Sequence, residues 1–335
     1  MQNNNPVSFT SYKIIILDFI KNNDFEDEDN RISTATGFLY KRNGMAYLIT
    51  NWHVVNERDF WDKGRKRSER HPTHILFTPS FSTSETNVVK DNRAILWELY
   101  DSAGNPKWLV HPKWKNEIDI VAIPIGPISN CADLYAINEV PQTLHMDLSV
   151  TDDLFVVGYP YGQGSDQKGT LPMWKKCTVA SEPGMEYLRD KRPTFLIDGI
   201  TNPSMSGSPV IRFIKGSINT PNGLIITQPG IELYGVYSGR IYANDDPIGE
   251  KNVLGFDKIK EELKENEDAD FKSWIYFILQ KQKDIIAKFV NKTVHKEIEN
   301  DTKIGLVWKA NLIDEIIDAN QKDQFIYDSD LERTE

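Results

Sequence analysis

Asn202-Pro203-Ser204-Met205-Ser206-Gly207-Ser208-Pro209-Val210 is the stretch whose reading decides the fold of this chain. A serine followed by glycine, a second small residue and proline makes a tight turn that feeds a strand, Val210-Ile211-Arg212-Phe213. Glycine opens dihedrals closed to other residues, and proline presets the exit. Such a turn can hold a hydroxyl outward while successive backbone N–H groups converge on one point. An acyl-transfer nucleophile and its oxyanion hole need that arrangement. Small-residue turns are common, so the stretch acquires meaning only from its partners elsewhere in the chain.

Two partners lie upstream. Tyr47-Leu48-Ile49-Thr50-Asn51-Trp52-His53-Val54-Val55 is an apolar strand that ends in polar residues and delivers a histidine. Asn116-Glu117-Ile118-Asp119-Ile120-Val121-Ala122-Ile123-Pro124 places an aspartate at the mouth of a buried-looking strand. Histidine, aspartate and serine in that chain order match chymotrypsin-like barrels, and the other well-known triad folds run in different orders. Positions 53, 119 and 206 suit a fold with histidine and aspartate in one barrel and serine in the next. The expected architecture is mainly β: two six-stranded antiparallel barrels, with a helical insertion and a C-terminal helix.

Bulk properties narrow the function. Hydrophobic residues make up 39% and charged residues 26%, an ordinary globular composition. A net charge of −10 disfavours nucleic acid and anionic membrane as partners, because both repel it. Cys131 and Cys177 are too few for a disulfide framework. The N-terminus lacks a basic segment, and Ile14-Ile15-Ile16-Leu17 is interrupted by Asp18. No apolar run approaches membrane-spanning length. These features predict a cytoplasmic protein.

Taken in order, residues 1–130 read as the first barrel. Arg42-Asn43-Gly44 turns a hairpin whose strands are Thr34 to Lys41 and Met45 to Thr50. The acidic run from Asp24 to Asp29 lacks the glycine and spacing of a calcium loop. The basic run from Lys63 to Arg70 has no interleaved aromatic residues to stack bases, so it reads as an exposed loop. Residues 131–150 form a linker, and 151–318 the second barrel, with strands that include Thr194 to Ile200 and Leu224 to Thr227. Within it, 244–303 turns helical: Phe271, Trp274, Ile278, Ile285 and Phe289 recur at helical spacing. Residues 319–335 form a tail. His71, His74, His111, His145 and His295 lack metal-ligand spacing, and no metal or cofactor is expected.

At these motifs the sequence resembles the trypsin-like peptidase family, nearest its bacterial Deg/HtrA-type branch, without that branch's PDZ-like domain. Leu48 to Val55, Asp119 to Ala122 and Asn202 to Pro209 carry the resemblance, with Gly158-Tyr159-Pro160 and Gly235 to Gly239 in support. It implies a serine endopeptidase acting on protein or peptide substrates, with His53 as general base, Asp119 as its orienter and Ser206 as nucleophile. It also implies an oxyanion hole from the backbone of Ser204, Met205 and Ser206, and a primary pocket with Ile200 at its base and Ser238, Gly239 and Arg240 along its wall. Ser238 further matches the family serine beside the aspartate. One departure stands out, because the family has glycine where this chain has Ser204. A side chain there strains or flips the peptide, which predicts latency, and the helical insertion either pads the barrel's outer wall or docks an activating partner that relieves it. The competing reading is a weakly catalytic, protease-fold binding module.

Overall fold

The computed structural model describes residues 5–18, 30–60, 67, 70–82, 88–90, 94–131, 134–143, 145–165, 171–185, 192–220, 223–226, 229–242 and 301–324. The helical insertion expected at 244–303 lies outside these residues except for its last three, which open a strand. The acidic run and most of the basic run also lie outside them. The chain divides into two units, Met1–Arg240 with Ile304–Glu335, and Ile241–Lys303. Both sheets that frame the candidate site are centred in the first.

The N-terminal half forms a six-stranded antiparallel sheet. Its strands are β1 (Ser11–Leu17), β2 (Arg31–Arg42), β3 (Met45–Thr50), β4 (His74–Phe77), β7 (Ile95–Glu98) and β8 (Val121–Pro127), in the order β7-β4-β1-β2-β3-β8. Strands β5 (Ser80–Ser82) and β6 (Val88–Lys90) pair separately in a two-stranded sheet. The turn between β2 and β3 places Asn43 at φ 51° and Gly44 at φ 76°, as the Asn-Gly signal predicts. The sheet curls around Tyr12, Ile14, Ile16, Leu48, Trp52 and Trp108 but is not a closed ladder, a difference from the expected barrel. Leu109 makes isolated bridges to Ala122 and Lys322 rather than a continuous strand.

The second sheet does close. Strands β9 (Asp153–Gly158), β10 (Met173–Val179), β11 (Thr194–Asp198), β12 (Pro209–Ile214), β15 (Gly230–Tyr242) and β16 (Asp301–Lys309) make a barrel in the order β10-β11-β16-β15-β12-β9. Leu154, Val156, Phe195, Ile197, Val210 and Val307 fill it. The strand expected from Leu224 to Thr227 is not one of its staves. It is β14 (Gly223–Ile226), paired only with β13 (Ser217–Thr220) in a hairpin. Period-two alternation marks a strand but does not say which strands it pairs with. A C-terminal helix, α2 (Asn311–Ala319), buries Leu312, Ile313, Ile316 and Ile317. Arg42 from the first sheet forks onto the Asp318 carboxylate at 2.7 Å and fixes the helix end to the β2–β3 hairpin. No described helix is long and apolar enough to cross a membrane.

Candidate active site

His53 sits in α1 (Trp52–Asn56), a single helical turn at the end of β3. Asn51 precedes it with extended dihedrals, and its side-chain amide donates to the Asp119 carbonyl at 2.6 Å. That bond ties the histidine turn to the segment entering β8. His53 is 3% exposed and Asp119 fully buried. His53 Nδ1 lies 2.8 Å from Asp119 Oδ2, and the His53 backbone N–H donates to Oδ1 at 3.0 Å. The Ser238 hydroxyl, on β15, donates to Oδ2 at 2.5 Å. A buried carboxylate loses its hydration, and three donors replace it here. Because an ionised carboxylate only accepts, the histidine carries its proton on Nδ1 and presents Nε2 as a base. Among the described residues, Nε2 makes no hydrogen bond, and neither does Ser206 Oγ. Catalytic hydrogen bonds are often open before substrate arrives.

The turn before β12 is held from both sides. Met205 is fully buried in the second-barrel core, so the residue between Ser204 and Ser206 acts as an apolar anchor. Gly207 N–H donates to the Tyr237 carbonyl, and Tyr237 N–H to the Ser208 carbonyl, each at 2.9 Å. From the first sheet, Thr36 N–H donates to the Ser206 carbonyl at 2.9 Å. The Thr36 hydroxyl donates to the Ser204 carbonyl, also at 2.9 Å. Gly158 is required where this cradle closes: a Cβ there would sit 2.1 Å from Ser208 Oγ and 2.9 Å from Thr36 Oγ1. The sequence reading missed Thr34 and Thr36. Their signal is a pair of threonines at period two, both on the side opposite Ala35.

The backbone donors sort themselves by use. Met205 N–H donates to the Asn202 carbonyl at 3.3 Å, so it is not free to serve an oxyanion. Among the described residues, the N–H groups of Ser204 and Ser206 donate to nothing. The Pro203 carbonyl accepts from Tyr161 N–H at 2.8 Å. In a trans peptide the N–H points away from the carbonyl, so the Ser204 N–H faces opposite to Tyr161. The flipped peptide expected from the serine substitution is therefore not the arrangement found. Ser204 does hold a strained conformation, with φ at 71°.

Of the expected pocket residues, Ile200 is 62% exposed and does not form a buried base. Ser238 spends its side chain on Asp119. Gly239 has open space where a side chain would project, and Arg240 is half-buried beside it. Thr201 and Tyr237 are both buried, and their hydroxyls meet at 2.5 Å. Among the described residues, no cluster of His, Cys, Asp and Glu could hold a metal ion.

Comparison with known proteins agrees with this geometry at the level of family. No curated protein sequence matches the chain. It is similar to the solved Rv3671c protease from M. tuberculosis in its active form, with 14% identity and a TM-score of 0.38, covering 97% of this chain and 88% of that one. It is also similar to the thermostable serine protease AL20 from an extremophilic microorganism, with 11% identity and a TM-score of 0.36, covering 71% and 88%. The model of the trypsin-like peptidase domain matches residues 35–218, which include His53, Asp119 and Ser206. The chain belongs to the trypsin-like peptidase domain family.

Proposed function

We propose that this protein is a serine endopeptidase that hydrolyses peptide bonds through His53, Asp119 and Ser206. The observation that carries the reading is the fully buried Asp119 carboxylate, which accepts from both nitrogens that His53 offers it and from Ser238. His53 Nε2 takes the Ser206 proton as Oγ attacks the scissile carbonyl carbon, and the carbonyl becomes an oxyanion. The free N–H groups of Ser204 and Ser206 are the donors that would receive that charge. As the intermediate collapses, the C–N bond breaks and His53 returns the proton to the leaving amine, leaving an acyl-enzyme. Water, deprotonated by the same histidine, then releases the acid.

Activity in this reading is constitutive, since the unflipped turn gives no support to latency. The non-catalytic binding module rested on the expected flip and loses that support too. An activating partner at 244–303 would act through residues outside those described, and the mechanism does not require one. The thiols of Cys131 and Cys177 are free, which fits a reducing, cytoplasmic setting.

For specificity, the hydroxyl pair of Thr201 and Tyr237 bridges the segment before the nucleophile to the start of the Ser238–Arg240 wall. Ile200 and Gly239 are apolar, and the residue expected before the scissile bond is small or medium and apolar. None of Ile200, Thr201, Ser238 and Gly239 carries the carboxylate that a lysine or arginine would need. The test of the function is turnover of denatured casein. Ser206→Ala and His53→Ala should each lose about 10⁴–10⁶ in rate with the fold intact. Full activity in either variant would overturn the assignment.

A further inference from the structure

The family glycine at position 204 is replaced by a serine that keeps a glycine-like conformation, φ 71°. Left-handed backbone is disfavoured for a residue with a Cβ, and short polar side chains tolerate it best when they bond locally. Ser204 bonds across the molecule instead. Its Oγ lies 2.7 Å from Thr34 Oγ1, on β2 of the other sheet. The period of the strand puts Thr34 on the same side as Thr36, whose hydroxyl and N–H take the Ser204 and Ser206 carbonyls. Gly162 closes over the Thr34 hydroxyl: a Cβ there would stand 2.9 Å from Thr34 Oγ1. The next N–H in that loop, from Tyr161, holds the Pro203 carbonyl. The peptides on both sides of Ser204 are thus fixed through their carbonyls, and its side chain is fixed through Thr34.

We propose that Thr34 is a positioning residue of the oxyanion hole, whose hydroxyl bond to Ser204 holds the left-handed turn that aims the Ser204 N–H at the reacting carbonyl. In this chain the bond does the work that glycine's conformational freedom does elsewhere in the family. The inference rests on the serine-peptidase reading. Thr34 touches no substrate atom in this scheme and acts only through Ser204, so its effect belongs in kcat rather than KM.

The experiment follows hydrolysis of fluorescein-labelled denatured casein by the full chain, with thermal unfolding measured alongside. Thr34→Val, which keeps the shape and loses the hydroxyl, should lower kcat about tenfold, in line with the loss of one hydrogen bond, with KM unchanged. Thr34→Ser should retain at least half of parental kcat. In a Ser204→Gly background, which needs no latch, adding Thr34→Val should change kcat less than about twofold. Should Thr34→Val not fold, Ser204→Ala removes the same bond from the other side, and Ser204→Gly should exceed it in kcat. A Thr34→Val protein that melts lower but keeps parental kcat would overturn the inference, as would an undiminished loss in the glycine background. A parental chain inert to both casein and an organofluorophosphonate probe would overturn the peptidase reading itself, and the inference with it.

Discussion

Substituting alanine for Gly207 tests how closely the two sheets must approach at the nucleophile. Gly207 has φ 83°, and a Cβ there would stand 2.1 Å from the Thr36 carbonyl oxygen and 2.4 Å from Thr50 Oγ1. Ordinary contact begins near 3.4 Å, so the turn must retreat by more than an ångström or the strands must part. The strands resist, because the Thr50 hydroxyl donates to that same Thr36 carbonyl at 2.9 Å within the β2–β3 pairing. The backbone term alone costs about 1–2 kcal/mol for a residue with a Cβ. Displacing the serine hydroxyl by roughly 1 Å costs on the order of 10² in rate. Gly44→Ala is the control: its φ is 76°, but nothing lies within 4 Å of the added atom. Both variants should melt lower, by about 2–4 °C for each kcal/mol lost in a domain of this size. Only Gly207→Ala should lose about 10² or more in kcat/KM toward casein. Parental kcat/KM in Gly207→Ala would refute the close-approach reasoning.

Three further outcomes follow from the same structure. Ser238→Ala removes one of three donors to the buried Asp119 carboxylate, so urea unfolding should show a loss of about 1.5–3 kcal/mol; an unchanged midpoint would contradict the network. Burial, followed by the nearby charges of Asp153 and Asp198, pushes the Cys177 thiol up to about 12. Iodoacetamide at pH 8 should therefore label it only after unfolding. Because the folded state holds this proton more tightly than the unfolded chain, its contribution to stability is full below about pH 9 and fades as pH rises toward 12. Profiling of cleaved bonds should show small or medium apolar residues before the scissile bond, and a preference for Lys or Arg would contradict a pocket without a carboxylate at Ile200, Thr201, Ser238 and Gly239.

Much of this was legible from residues alone, and the rest failed for a definable reason. The motifs around His53, Asp119 and Ser206 could be read because each is a local switch, an apolar strand broken by a polar residue or by glycine and proline. The hairpin at Asn43-Gly44 was legible because its turn chemistry is local too. The Thr34 and Thr36 cradle was not, since it joins residues separated by 168 and 170 positions, and only the folded register brings them together. The expected flip at Ser204 failed on the same ground: the left-handed cost was recognised, but the distant hydroxyl that offsets it was not. Ile200 was placed in a pocket by its distance from Ser206, yet the chain turns it outward. The family resemblance implied Met205 as an oxyanion donor, although its N–H closes the turn onto Asn202.

The central claim is that Ser206 is the nucleophile and that His53 activates it. Intact-mass and peptide mass spectrometry after treatment with an organofluorophosphonate tests this most directly. The account predicts one adduct per chain, on the peptide that contains Ser206, and no adduct in His53→Ala under the same conditions. An unmodified parental protein, or an adduct on any residue other than Ser206, would contradict it.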